Sequence, residues 1–192
     1  MPKKGDPGRT APKRLIVAIT GASGAIFGIR TLERLRAEAD LETHLIVSPS
    51  ALRTIEAETD RTAAQVRRLA SVVHSYKDIG ASMSSGSFRT LGMLVAPCSI
   101  KTLSGIANAY DDNLVVRAAD VCLKERRRLV LLLRETPLHL GHIELMERVT
   151  RYGAVVMPPI PAFHLKPKTI DDIVDQAVDR ALGQFGLGAG KA

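Results

Sequence analysis

The sequence predicts a single α/β domain built on an open parallel sheet with helices on both faces. Short apolar, β-branched runs alternate with segments of helical periodicity along the chain, the pattern of parallel strands joined by crossover helices. The 192 residues, 45% of them hydrophobic, supply one buried core and fall short of the length that divides into two. Glycines, prolines, small hydroxyls and a charge pair collect directly after five of the runs, where an open parallel sheet presents its ligand-binding edge.

In chain order, the Pro-, Gly- and Lys-rich opening lacks apolar periodicity, so residues 1–13 are expected to be a disordered basic tail. The domain is expected over 14–187, with 188–192 as a flexible end. Strands are expected at Leu15 to Thr20, Thr43 to Ser48, Ser71 to Tyr76, Met93 to Ala96, Leu129 to Leu133 and Ala154 to Met157, each bounded by turn-forming residues. Helices are expected at about 25–38, 51–70, 102–109, 113–125 and 142–152, with Asp60 or Thr62 breaking the second. The last helix is the clearest. Ile170, Ile173, Val174, Ala177, Val178, Ala181 and Leu182 repeat at helical spacing opposite Asp171, Asp172, Asp175, Asp179 and Arg180. Thr169 with Asp172 makes a capping-box start, and Gly183 a stop.

The formal charge of +7 raises the question of a polyanion partner, but +4 of it lies in the first 14 residues. The remaining body is close to neutral for its size and has no Trp to stack bases, which argues against nucleic acid. Cys98 and Cys122 show neither disulfide nor metal spacing, as expected of a reduced, cytoplasmic protein. The apolar run from Leu15 to Ile29 is broken by Gly21, Ser23, Gly24 and Gly28, so it reads as strand, turn and helix rather than a signal or membrane segment.

Glycines at 21, 24 and 28 do not make the G-x-G-x-x-G of a dinucleotide site. A short-chain dehydrogenase would need glycines where Ala25 and Phe27 stand, and a Tyr-x-x-x-Lys that Tyr76, Tyr110 and Tyr152 do not supply. Asp111 and Asp112 lack the spacing of a magnesium-binding DDxxD and read as a pair at a helix start.

Taken together, TGASGA at 20–25, SSGSF at 84–88, PCSIKTLSGIA at 97–107, NLVVRAADVCLKERR at 113–127, LLLRETPL at 131–138 and MPPIPAF at 157–163 resemble the UbiX family of flavin prenyltransferases. The resemblance runs from about Arg14 to Leu187. It implies a Rossmann-like, flavodoxin-like flavoprotein that transfers a dimethylallyl group from dimethylallyl phosphate to N5 and C6 of reduced FMN, with no metal. It further implies a homo-oligomer, commonly a dodecamer, whose product serves a UbiD-type decarboxylase.

Carried over residue by residue, the resemblance implies FMN contacts at Gly21, Ala22, Ser23, Ser48, Ser99, Ile100, Lys101, Thr102 and Arg134. It implies prenyl-phosphate contacts at Ser85, Gly86, Arg117, Lys124 and Arg180. Glu135, Ser23 and Glu58 are the expected proton-handling residues. His164 departs from the pattern, since the family usually has Tyr there; an imidazole beside a phosphate is expected to make donor affinity pH-dependent. Arg126, Arg127 and Arg128 read as a solvated helix end, and His44, His74, His139 and His142 as surface residues of strands or helices. A flavin-dependent cysteine decarboxylase would carry a PxMNxxMW stretch, which is missing here. The alternative that remains is an FMN carrier or accessory subunit of an aromatic acid decarboxylase.

Overall fold

The computed structural model describes residues 12–188; the expected tail therefore lies almost wholly outside the described residues. Six strands form one sheet: β1 (Lys13–Ile19), β2 (Leu41–Val47), β3 (Val72–His74), β4 (Gly92–Cys98), β5 (Arg128–Leu133) and β6 (Val155–Val156). Their order is β3-β2-β1-β4-β5-β6, and every pairing is parallel. The chain reverses its direction of growth between β3 and β4, which opens a crevice beyond the carboxyl ends of β1 and β4.

Alternate residues of each strand feed two cores. Leu15, Val17, Ile19, Leu45, Leu94, Val130 and Leu132 face α1 (Ala25–Leu35), α2 (Pro49–Glu58) and α7 (Ile170–Gly183). Ile16, Ala18, Ile46, Met93, Val95, Leu129 and Leu131 face α4 (Ile100–Ala107), α5 (Leu114–Lys124) and α6 (Leu140–Arg151). Burial on both faces explains why β1, β4 and β5 read as nearly unbroken apolar runs. Full burial of side chains of this size stabilises by about 1.5–3 kcal/mol each, enough to offset much of the ordering entropy.

The expected second helix is two. α2 ends at Glu58, and α3 (Ala63–Arg67) starts afresh at Thr62, whose hydroxyl accepts from the Gln65 amide while the Gln65 side chain accepts from Thr62 N. α7 opens on the expected Thr169–Asp172 capping box. Its acidic stripe is not simply solvated: Asp171 and Asp175 hold Arg30, and Asp175 and Asp179 hold Arg34, tying α7 to α1.

Two further expectations need correction. His44 is buried, because β2 turns alternate residues into the second core; its Nδ1 lies 2.9 Å from Nε2 of His74 and its Nε2 2.5 Å from Glu42. Burial pushes both imidazoles below their ordinary range despite the Glu42 carboxylate beside His44, so the pair is neutral at physiological pH. Arg127 is not a solvated charge either. Its guanidinium donates to the carbonyls of Phe88 at 2.6 Å and Gly86 at 2.5 Å, fixing the segment that leads into β4.

Candidate active site

The carboxyl end of the sheet is built by one buried hydroxyl. Thr20 Oγ1 donates to the Pro97 carbonyl at 2.7 Å and accepts from the Ser99 amide at 2.9 Å, latching the end of β1 to the end of β4. Ser48 N donates to the Ile19 carbonyl at 3.0 Å, and Arg134 N to the Cys98 carbonyl at 3.1 Å, so the ends of β2 and β5 join the same rim. Three helices start there. Ser48 caps α2 by accepting from Ala51 N, and Ser99 caps α4 by accepting from Thr102 N. α1 is capped differently, since Gly24 stands in the left-handed region at φ 100°, where a side chain would be strained.

The missing cap of α1 is supplied from a distance. Glu58, the last residue of α2, accepts from the amides of Gly24 at 2.7 Å and Ala25 at 3.1 Å, and from the Ser23 hydroxyl. Partial burial alone would raise its pKa. These hydrogen bonds and the charge of Arg134 outweigh burial and hold the carboxyl below the usual carboxylate range. Glu58 is thus an ionised acceptor at the helix start. Gly21 packs its backbone so closely on α2 that a Cβ there would stand 2.3 Å from Cβ of Ser50.

The structure therefore brings Gly21, Ala22, Ser23, Ser48, Ser99, Ile100, Lys101, Thr102 and Arg134 to one rim, with Glu58 among them. Glu135 follows Arg134 at the end of β5 and accepts from Thr136 N at 3.0 Å. The hydroxyls of Ser48, Ser99 and Thr102 at the starts of α2 and α4, the amides of Gly21, Ala22 and Ser23 that Glu58 does not take, and a guanidinium beside them form a donor set suited to a phosphate monoester and a polyol chain. Beyond β6, the segment 156–165 and α7 enclose a cavity of about 620 Å³ that takes in His164 and Arg180 together with Gln176, whose Oε1 is buried without a partner.

The remaining expected donor contacts lie elsewhere. α5 runs back to the amino end of the sheet, so Lys124, its last residue, lies toward the end where β5 begins and bonds Glu125 at 2.6 Å. Gly86 lies against the same Lys124–Glu125 pair, and Ser85 bonds Ser87 at 2.9 Å. Arg117 holds Asp111 at 3.0 Å, Asp120 at 3.1 Å and the Ser84 carbonyl at 3.2 Å. Within one chain, Ser85, Gly86, Arg117 and Lys124 do not join His164 and Arg180. Sequence reasoning missed Thr20, whose role rests on bonds to main-chain atoms nearly eighty residues away. Among the described residues, no cluster of three or more His, Cys, Asp or Glu could hold a metal ion, and no helix is long and apolar enough to cross a membrane.

Comparison with known proteins fits this arrangement. The Flavoprotein family model matches residues 5–182. The chain is 58% identical over 175 residues to the flavin prenyltransferase UbiX of Escherichia coli K12, covering 91% of this chain and 93% of that one. It is 58% identical over 174 residues to the flavin prenyltransferase UbiX of Thauera aromatica, covering 91% and 89%. Among solved structures it resembles AnUbiX in complex with FMN and dimethylallyl pyrophosphate, with TM-score 0.90, 51% identity and coverage of 92% and 94%. It also resembles a dodecameric FMN-dependent UbiX-like decarboxylase from Escherichia coli O157:H7, with TM-score 0.91, 51% identity and coverage of 93% and 97%. Carried by a parallel sheet of this order and by likeness over nine-tenths of its length, the chain belongs to the UbiX flavin prenyltransferase family.

Proposed function

We propose that this chain is a flavin prenyltransferase that moves a dimethylallyl group from dimethylallyl phosphate to N5 and C6 of reduced FMN, releasing phosphate. The observation that carries this reading is the match in fold and sequence to AnUbiX, which was solved with FMN and dimethylallyl pyrophosphate. The residues present fit FMN: Ser48, Ser99, Thr102 and the open amides of Gly21, Ala22 and Ser23 suit its phosphate and ribityl chain, and Arg134 its polar ring edge. Bound there, the flavin supplies the nucleophilic nitrogen and carbon.

The chain's own residues hold the donor and move protons. Glu58, held ionised, orients Ser23 and the start of α1 rather than taking a proton itself, and Glu135, at the end of β5, is the candidate for proton transfer. Arg117, Lys124, Arg180 and His164, with Ser85 and Gly86, bind the donor phosphate, so cations rather than a metal ion meet the departing charge. Because these residues lie at two ends of one sheet, the donor site is completed by a second copy of the chain, in keeping with the dodecameric Escherichia coli relative. A cytoplasmic setting agrees with Cys98 and Cys122, free thiols whose pKa burial pushes up to about 12. The product serves a UbiD-type decarboxylase.

Anaerobic incubation with reduced FMN and dimethylallyl phosphate tests the reading. The released flavin should gain the mass of the prenyl unit and change its absorbance. Flavin recovered unchanged would instead support a carrier.

A further inference from the structure

A second concavity, of about 520 Å³, opens at the amino end of the sheet, where α5 passes into β5 and α6 turns toward β6. Arg126, Arg127 and Arg128 line it over a floor of Leu91, Leu123 and Tyr152, and no Asp or Glu is among its lining residues. Three guanidinium groups around one hollow repel one another. Elsewhere Arg30, Arg34 and Arg117 each lie against carboxylates. Here Arg127 is used by the Gly86 and Phe88 carbonyls, while the side chains of Arg126 and Arg128 have no hydrogen-bond or ion-pair partner among the described residues.

The backbone adds an independent observation. Arg127 N donates to the Cys122 carbonyl at 2.8 Å and Arg126 N to the Leu123 carbonyl at 3.1 Å, a Schellman ending for α5. Arg126 thereby takes φ 55°, in the left-handed region where glycine is the unstrained residue. A cation does suit a helix's carboxyl end, but Lys124 already stands in that last turn. Arg126 therefore stands where glycine would be unstrained, on the wall of a hollow whose nearest carboxylate, Glu125, is already bonded by Lys124, so its guanidinium is free to meet a ligand.

We propose that this hollow is an anion site, separate from the flavin rim, for a phosphorylated small molecule whose planar or apolar body rests on Leu91, Leu123 and Tyr152. The guanidinium fork matches phosphate oxygens, and the volume is that of a small-molecule site.

The test titrates the FMN-loaded protein with inorganic pyrophosphate by calorimetry while dimethylallyl phosphate is saturating, so that the donor site is occupied. About one equivalent per chain should still bind, and Arg126→Gly and Arg128→Gln should each weaken it by about tenfold or more. Arg126→Gly places glycine in the left-handed position, so its melting temperature should hold or rise, separating lost binding from lost folding. Tyr152→Ala should weaken phenyl phosphate and leave pyrophosphate unchanged. No binding beside the saturating donor, or binding untouched by both arginine variants, would overturn the proposal. So would a changed oligomer size in those variants with unchanged pyrophosphate affinity, which would assign the arginines to a subunit contact.

Discussion

Removing the Thr20 hydroxyl should damage the fold and the flavin rim together. Thr20 is 1% exposed, and valine keeps its shape, so Thr20→Val changes chemistry alone. The Ser99 amide loses the acceptor it holds at 2.9 Å, which costs about 1–3 kcal/mol for a buried donor left unpaired. The bond to the Pro97 carbonyl is lost at about 1 kcal/mol net, because that oxygen still accepts from Thr20 N at 3.3 Å. The total, about 3 kcal/mol, corresponds to about 6–12 °C in melting temperature for a domain of this size. Since Ser99 caps α4 at the rim, FMN affinity should fall about tenfold, the equivalent of ~1.4 kcal/mol. Thermal melts followed by circular dichroism and FMN fluorescence titration measure the two effects, with Thr20→Ser as the variant that keeps both bonds. A valine variant melting within about 2 °C of the parent and binding FMN equally would refute the latch.

Three further predictions concern the rim and the donor. A carboxyl whose folded pKa is depressed adds stability above its unfolded pKa and loses it as pH falls through the folded value, so Glu58→Gln should melt below the parent at neutral pH. Solvent screening limits the gap to about 1 kcal/mol, and it should close below roughly pH 4; a gap indifferent to pH would mean that Glu58 is not held ionised. Glu135→Gln should leave FMN affinity intact and slow prenylation by about 10²-fold or more, whereas unaltered turnover would remove it from the mechanism. Lys124→Ala and Arg180→Ala should each weaken donor binding by about 1.5–3 kcal/mol, roughly a tenfold or greater rise in Kd, while sparing FMN; equal weakening of both ligands would displace these residues from the donor site.

The strands and most helix boundaries were legible because burial on both faces makes apolar runs, and because caps such as Thr169–Asp172 and Thr62–Gln65 are local in sequence. The rim was legible for a related reason: Ser48 and Ser99 are hydroxyls directly after strands, where helices begin. Three things were hidden by long-range bonding. His44 looks like an outward polar residue until His74, thirty positions on, satisfies its ring. Arg127 looks solvated because its partners are carbonyl oxygens, which leave no mark in a sequence. Glu58 gave no local sign that it would cap α1, since the helix it caps begins 33 residues earlier.

Both border strands of the sheet are very short, three residues in β3 and two in β6. A border of that length leaves few backbone donors and acceptors for a foreign strand, so the sheet offers almost nothing onto which another chain could polymerise by main-chain pairing. Any contact between copies would fall to side-chain surfaces instead, where Ile160, Phe163 and Leu140 are exposed.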